Sequence, residues 1–458
     1  MSKVKVDENA AKFIYQDDIH QPAHDKNLWN AKIKREKVAA EIDEWEELRD
    51  LASQIKEHTL THLDQYIEQF VAAAEARNIK VHFAKDATEH NHTMLQILQS
   101  KGATKIVKSK SMLQEECEMA PYLEANGIEI IETDLGERIQ QLSGEAPSHI
   151  VMPAIHKTTS DVAKLFARTI GTDPNNDDPS SLTEAMRLNA RPKFLEADAG
   201  LTGANFVVAE TGTFVVCTNE GNADLTTNLP PLHIASIGIE KILPKVEDLG
   251  VFIRLLSRSA LGTPATQYTS HFSGPRPGTE MHVILTDNGR SRRLGMDEFW
   301  HSLKCIRCGA CMNTCPVYRR SGGLAYEATY SGPIGIILDP TFDDTKYSEL
   351  PFHSSLCGSC SEVCPVHINI AEQITLWRQH MVNIKQISPM MRFSFGVAGK
   401  LFASPAMFRF AEKAGYYGLK LAPDFLLYNK ALNPWGRHRE LPEIKKETFR
   451  DWYLKNRN

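Results

Sequence analysis

Apolar residues recur every three or four positions early in the chain. Val38, Ile42, Trp45, Leu48, Leu51 and Ile55 form one stripe, and Leu63, Ile67 and Phe70 resume it after a break rich in His and Thr. That period predicts amphipathic helices through the first eighty or so residues, with the apolar positions serving packing. From Lys80 the period changes. Short β-rich runs (Val81-His82-Phe83, Lys105-Ile106-Val107-Lys108, Ile128-Glu129-Ile130-Ile131 and His149-Ile150-Val151-Met152) alternate with helical stretches. Such spacing predicts βαβ units and a mainly parallel sheet. Residues 171–179, polar and Pro-containing, read as a surface excursion. Beyond them lie four denser strand patterns, at residues 206–209, 213–216, 233–236 and 282–285.

The chain divides accordingly into a helical N-terminal extension (1–64), an α/β domain (65–295), a cysteine-bearing module (296–380) and a helical C-terminal tail (381–458). The tail is aromatic and basic: Met391, Phe393, Phe395, Leu401, Phe402, Met407, Phe408 and Phe410 are interrupted by Arg392, Lys400 and Arg409. A surface for a partner or a membrane is one reading. Packing on the protein's own core is the expectation, because aromatic stripes at helical spacing usually mean burial.

At 458 residues the chain exceeds one hydrophobic core. Its composition, 42% hydrophobic and 24% charged, is that of a globular protein. Lys+Arg 52 against Asp+Glu 57 gives a net charge of −5, which offers no general footprint for nucleic acid. No apolar run approaches the ~18 residues of a membrane span, so membrane association is at most peripheral. The first residues lack the apolar core of a secretion signal, and a cytoplasmic location is expected.

Cysteine usage narrows the chemistry. Of nine cysteines, Cys117 and Cys217 are isolated, and the other seven fall between 305 and 364. In a reducing compartment such a cluster holds metal. Cys305, Cys308, Cys311 and Cys315-Pro316 form the full C-x2-C-x2-C-x3-C-P run of ferredoxins. Zinc sites instead use two separated pairs. Cys357, Cys360 and Cys364-Pro365 repeat the run with one ligand fewer, Ser354 standing where its first cysteine belongs. In two-cluster ferredoxins the fourth cysteine of each run serves the other cluster. Applied here, Cys305, Cys308, Cys311 and Cys364 hold one [4Fe–4S] cluster. Cys315, Cys357 and Cys360 hold a second, whose fourth iron takes Ser354, His353, water or a partner's ligand. The alternatives are a [3Fe–4S] centre or a single cluster with a degenerate second motif. Apart from these two motifs there is no internal repeat.

The α/β region lacks G-x-G-x-x-G after a strand, a P-loop, G-x-S-x-G and H-E-x-x-H, so no nicotinamide, flavin or hydrolase fingerprint is present. Within Ala209-Glu210-Thr211-Gly212-Thr213, Glu210 could face a pocket; its expected role is accepting turn amides.

These segments, with residues 107–112, 132–137, 153–157, 219–222 and 287–291 and both cysteine motifs, resemble the lactate-utilisation iron–sulfur protein B family over nearly the whole chain. The resemblance implies an α/β domain similar to those of sugar-phosphate isomerases and CoA-transferases, followed by an all-α ferredoxin-type module. It also implies an electron-transfer role in NAD-independent oxidation of L-lactate to pyruvate, in a complex with an iron–sulfur A protein and a small C protein. Some family members carry Cys at the Ser354 position. The electron acceptor does not follow, and no catalytic residue is assigned; should the α/β domain itself prove catalytic or ligand-binding, with the cluster a redox sensor, Glu210 and His156 are the first groups to examine.

Overall fold

A computed structural model of the chain describes residues 3–429 and 445–457. They fall into two compact units, one ending at Met381 and the other starting at Val382. The first unit is built on ten strands: β1 (Ile79–Ala84), β2 (Lys105–Lys108), β3 (Glu129–Glu132), β4 (Ala199–Thr202), β5 (Phe206–Val208), β6 (Thr213–Thr218), β7 (Leu232–Gly238), β8 (Ile242–Leu243), β9 (Tyr268–Phe272) and β10 (Glu280–Thr286).

Six strands form an all-parallel sheet in the order β1-β10-β7-β4-β2-β3. Alternation along each strand feeds two cores, as a sheet covered on both faces requires. On β10, Met281, Val283 and Leu285 pack with Phe70, Phe214 and Ala235, while Ile284 faces Met94, Leu98 and Ile234 on the other side. A second sheet, β8-β5-β6-β9, is mixed: β5 and β9 run antiparallel to β6, and β8 runs parallel to β5. Gly200 permits one close approach, since a Cβ there would lie 1.8 Å from the Thr226 carbonyl oxygen on the helix Asn222–Asn228.

Two expectations are corrected. Residues 149–152 are a loop, not a strand. The buried His149 ring takes over the bonds that a ladder would have made: its Nδ1 accepts the Val151 and Met152 amides at 3.0 Å each, and its Nε2–H therefore donates to Asn313 Oδ1 at 3.1 Å. The aromatic tail forms helices, Pro389–Ala403, Pro405–Leu421, Asp424–Leu427 and Phe449–Asn456, but none of them has a buried residue. Large apolar side chains on them stand exposed, with Phe393 at 70%, Phe402 at 69% and Phe410 at 73% exposure.

After Thr286 the described residues contain no strand. The cysteine module is a set of short helices around the buried Trp377, which stacks on Phe299 at 4.2 Å between ring centroids. The N-terminal helices His20–Ala39 and Trp45–Thr61 brace it. Arg49 donates to the Cys364 and Glu362 carbonyls, Arg35 to the Val363 carbonyl at 3.2 Å, and Lys304 reaches back to Ser53 at 2.8 Å. Arg49 thus satisfies carbonyls that the tight cysteine loop leaves without a backbone partner.

Candidate functional site

The seven cysteines separate into two groups. Cys305, Cys308, Cys311 and Cys364 line one small cavity, walled by Ile150, Ile306, Ile334, Val366 and Ile368. Cys315 instead neighbours Cys357 and Cys360: beyond burial, Cys357 disfavours ionisation of Cys315, and Cys315 and Cys357 disfavour that of Cys360. Burial first, then those neighbours, push the Cys360 thiol up to about 12; burial likewise raises Cys364 to about 11, against the amides of Ile368 and Val366. Such thiols ionise when positive metal compensates them, releasing protons on binding.

The donor set fits iron–sulfur chemistry. Amides of Arg307, Tyr318 and Ile368 approach the sulfurs of Cys305, Cys315 and Cys364, each at 3.4 Å, the kind of contact that tunes cluster thiolates. A single tetrahedral zinc with ~2.3 Å bonds needs sulfurs about 3.8 Å apart. Among the described residues no three cysteine sulfurs lie within 4.8 Å of one another. The only such group is Glu115, Glu132 and Glu137, and there the buried Lys108 ammonium supplies the cation, 3.0 Å from Glu115 and 2.8 Å from Glu132.

The two loops share a backbone course. Gly309 and Gly358 have φ of +77° and +82°, and the residues before Cys308 and Cys357, Arg307 and Leu356, are left-handed at +61° and +54°. Their surroundings differ. A Cβ on Gly309 would stand 3.0 Å from the His149 ring, whereas one on Gly358 meets nothing within 4 Å. Cys357 is exposed. Ser354 Oγ accepts the Leu356 amide at 3.1 Å, and His353 Nδ1 lies 3.3 Å from Asp7.

A larger cavity of about 490 Å³ adjoins the first group, and Cys308 forms part of its wall. Ser109, Lys110 and Ser111 after β2, Asp134 and Gly136 after β3, Gly203 and Asn205 after β4, and Ser236 and Gly238 of β7 line it. It therefore opens at the carboxyl ends of the parallel strands, where open α/β sheets take ligands. A buried ionic network closes its floor. Arg290 grips Glu116 with two bonds, 2.8 and 3.1 Å, and also donates to Glu240. Tyr330 Oη donates to Glu116 at 2.7 Å, and Arg307 lies over the Tyr330 ring with Nη2 3.6 Å from Glu240. Burial by itself raises both carboxylates, but Arg290 overrides it and holds each below the ordinary range.

Neither residue flagged in the α/β region lines this cavity. Glu210 is exposed and accepts the Val246 amide at 3.1 Å, at the start of the helix Val246–Leu261. His156 pairs with Glu145 at 3.0 Å in a separate polar recess containing His20 and Asp161; burial lowers its pKa. Lys241 and Asn222 line the cavity as well. No local motif announces Lys241, Arg307 is an unspecified position inside the first cysteine run, Asn222 ends the segment 219–222 that follows the Glu210 turn, and Lys110 and Arg290 stand in segments noted only for resemblance.

This architecture defines an iron–sulfur protein that joins a parallel-sheet α/β domain to a ferredoxin-like module. Residues 67–293 match the LUD domain, and residues 301–368 match the 4Fe-4S dicluster domain. Lactate utilization protein B of Bacillus cytotoxicus is 41% identical over 443 residues, covering 92% of this chain and 91% of its own. The protein of the same name from Bacillus pumilus is 42% identical over 439 residues, covering 92% and 91%. The crystal structure of a DUF162 family protein from Deinococcus radiodurans matches with a TM-score of 0.29 and 13% identity, over 49% of this chain and 98% of that one. The chain belongs to the lactate utilization protein B family. Among the described residues no helix is long and apolar enough to cross a membrane.

Proposed function

We propose that the chain is the electron-transfer subunit of a complex that oxidises L-lactate to pyruvate, with an A and a C protein of the same system as partners. Cys305, Cys308, Cys311 and Cys364 hold one [4Fe–4S] cluster; Cys315, Cys357 and Cys360 hold the second, and Ser354 is the nearest sequence counterpart of its missing thiolate. The observation that carries this reading is the grouping of Cys364 with the three cysteines of the first run, apart from Cys315. Bound clusters supply one-electron transfer and no open iron where all four thiolates are present. The residues around them do the rest. Ile150, Ile334 and Ile368 cover one side of the first group, and the Arg307, Tyr318 and Ile368 amides temper the charge on the sulfurs.

Protein purified without oxygen is expected to contain about eight iron and eight sulfide per chain. Alone, it should oxidise little or no lactate with an artificial acceptor, and activity should appear when the A and C proteins are added. A Cys308→Ser variant should abolish that activity while leaving the α/β domain folded. Iron near four per chain refutes the second cluster, and steady turnover by the single chain moves catalysis into the α/β domain.

A further inference from the structure

The cavity at the carboxyl ends of the strands has a cationic end whose charge is incompletely answered. Arg307 Nη1 is buried without a hydrogen-bond partner, although Nη2 leans toward Glu240. Lys241, on the same wall, makes no hydrogen bond or ion pair among the described residues. The one carboxylate beside them, Glu240, is already bonded to Arg290, and the Cys305 sulfur, the other group that favours the charge of both, belongs to the first cysteine group and gives Arg307 Nη1 no hydrogen bond. The other charged groups of the lining are committed elsewhere: Lys110 donates to the Val151 carbonyl at 3.0 Å, Asp134 accepts the Glu137 amide at 3.0 Å, and Glu220 accepts the Thr218 hydroxyl at 3.0 Å.

The left-handed backbone at 307 does not explain the arginine, because Leu356 occupies the matching position with the same conformation. What distinguishes the two loops is what the side chain meets, and Arg307 meets the cavity. A buried guanidinium nitrogen without an acceptor is costly, and an anion entering the cavity would satisfy it. The remaining wall is mixed: Val151 and Leu256 offer an apolar stretch beside polar side chains such as Ser109, Asn205 and Ser236, and the volume lies within the ligand range.

We infer that this cavity binds a small organic carboxylate, its carboxylate on Arg307 and Lys241 and its carbon chain against Val151 and Leu256, beside the wall that carries Cys308. This deepens the electron-transfer reading by seating the hydroxy acid or its oxo product in this chain, and it rests on that reading only for the choice of probes. The ionic contacts stand whether or not electrons pass.

The test is calorimetric titration of the full, cluster-loaded chain without oxygen, using L-lactate, pyruvate and the neutral analogue lactamide. Lactate or pyruvate should bind saturably, and lactamide should bind at least about tenfold more weakly, a difference of roughly 1.4 kcal/mol. Lys241→Gln should weaken carboxylate binding by a similar factor at unchanged iron content. Arg307→Gln should do the same, but it lies in a cysteine loop, so the Lys241 variant decides if the cluster is disturbed. Absence of saturable carboxylate binding, equal affinity for lactamide, or unaltered affinity in Lys241→Gln each overturns the inference. Clusters that cannot be reduced reversibly would sink the electron-transfer reading while leaving carboxylate binding as measured.

Discussion

Replacing Arg290 by Met keeps most of the side-chain volume but removes the one cation shared by two buried carboxylates. Arg290 is 2% exposed, Glu116 3% and Glu240 2%. After the change Glu116 retains only the Tyr330 and Asn288 donors, and Glu240 retains Arg307 at 3.6 Å. Breaking a buried pair from one side costs about 3–5 kcal/mol, a large part of the roughly 5–15 kcal/mol that holds a domain folded. The loss has a pH signature. In the parent, both carboxylates titrate below their unfolded value of about 4.3, so their contribution is present above that pH and lost as pH falls through the folded value. In Arg290→Met, burial without its cation raises their folded pKa. The variant's deficit should therefore be widest near pH ~8 and shrink toward pH ~5.5, as the stranded acids take up protons. Urea unfolding without oxygen, followed by far-ultraviolet circular dichroism at both pH values, measures this. A deficit below about 1 kcal/mol, or one equal at both pH values, would refute the reasoning. Adding Glu240→Gln should recover part of the loss, since the two groups are directly coupled.

If two clusters are bound as proposed, Cys364→Ser should alter the EPR signal of the one at Cys305, Cys308 and Cys311, and Cys315→Ser that of the one at Cys357 and Cys360; the opposite pattern would show that the ligands do not cross. Ser354→Cys should complete a thiolate set, lowering the second cluster's potential and slowing its loss in air, and unchanged values in potentiometry and bleaching would place the cap elsewhere. Gly200→Ala should destabilise the α/β domain by about 1–3 kcal/mol or more, because the new methyl overlaps the Thr226 carbonyl at 1.8 Å; a parent-like melting temperature would show that the helix Asn222–Asn228 can withdraw freely.

What could be read from the chain was what is local. The Cys spacing is a complete chemical statement within sixty residues, and β1, β2, β7 and β10 announce themselves through β-branched runs. β4 does not: its Ala199-Gly200-Leu201-Thr202 is small because a helix carbonyl presses on it, so tertiary contact displaced the residues that would have signalled a strand. β9, Tyr268–Phe272, is polar, and β8 has two residues. The run at 149–152 misled because an imidazole, not a neighbouring strand, takes its amides. Lys241, Arg290 and Arg307 meet only once β7, β10 and the cysteine loop are assembled, and no period in the chain marks that meeting. In the tail the helices followed the pattern, but burial did not.

The unlike surroundings of the two cysteine loops govern how the molecule should fail. Of the seven motif cysteines only Cys357 is exposed, and Gly358 beside it has open space, while its counterpart Gly309 is held against His149. An oxidant arriving from water therefore meets the outer loop first. Behind it Cys308, Cys311 and Cys364 are buried and Cys305 half-buried, so damage should begin at the outer group and reach the inner four cysteines later.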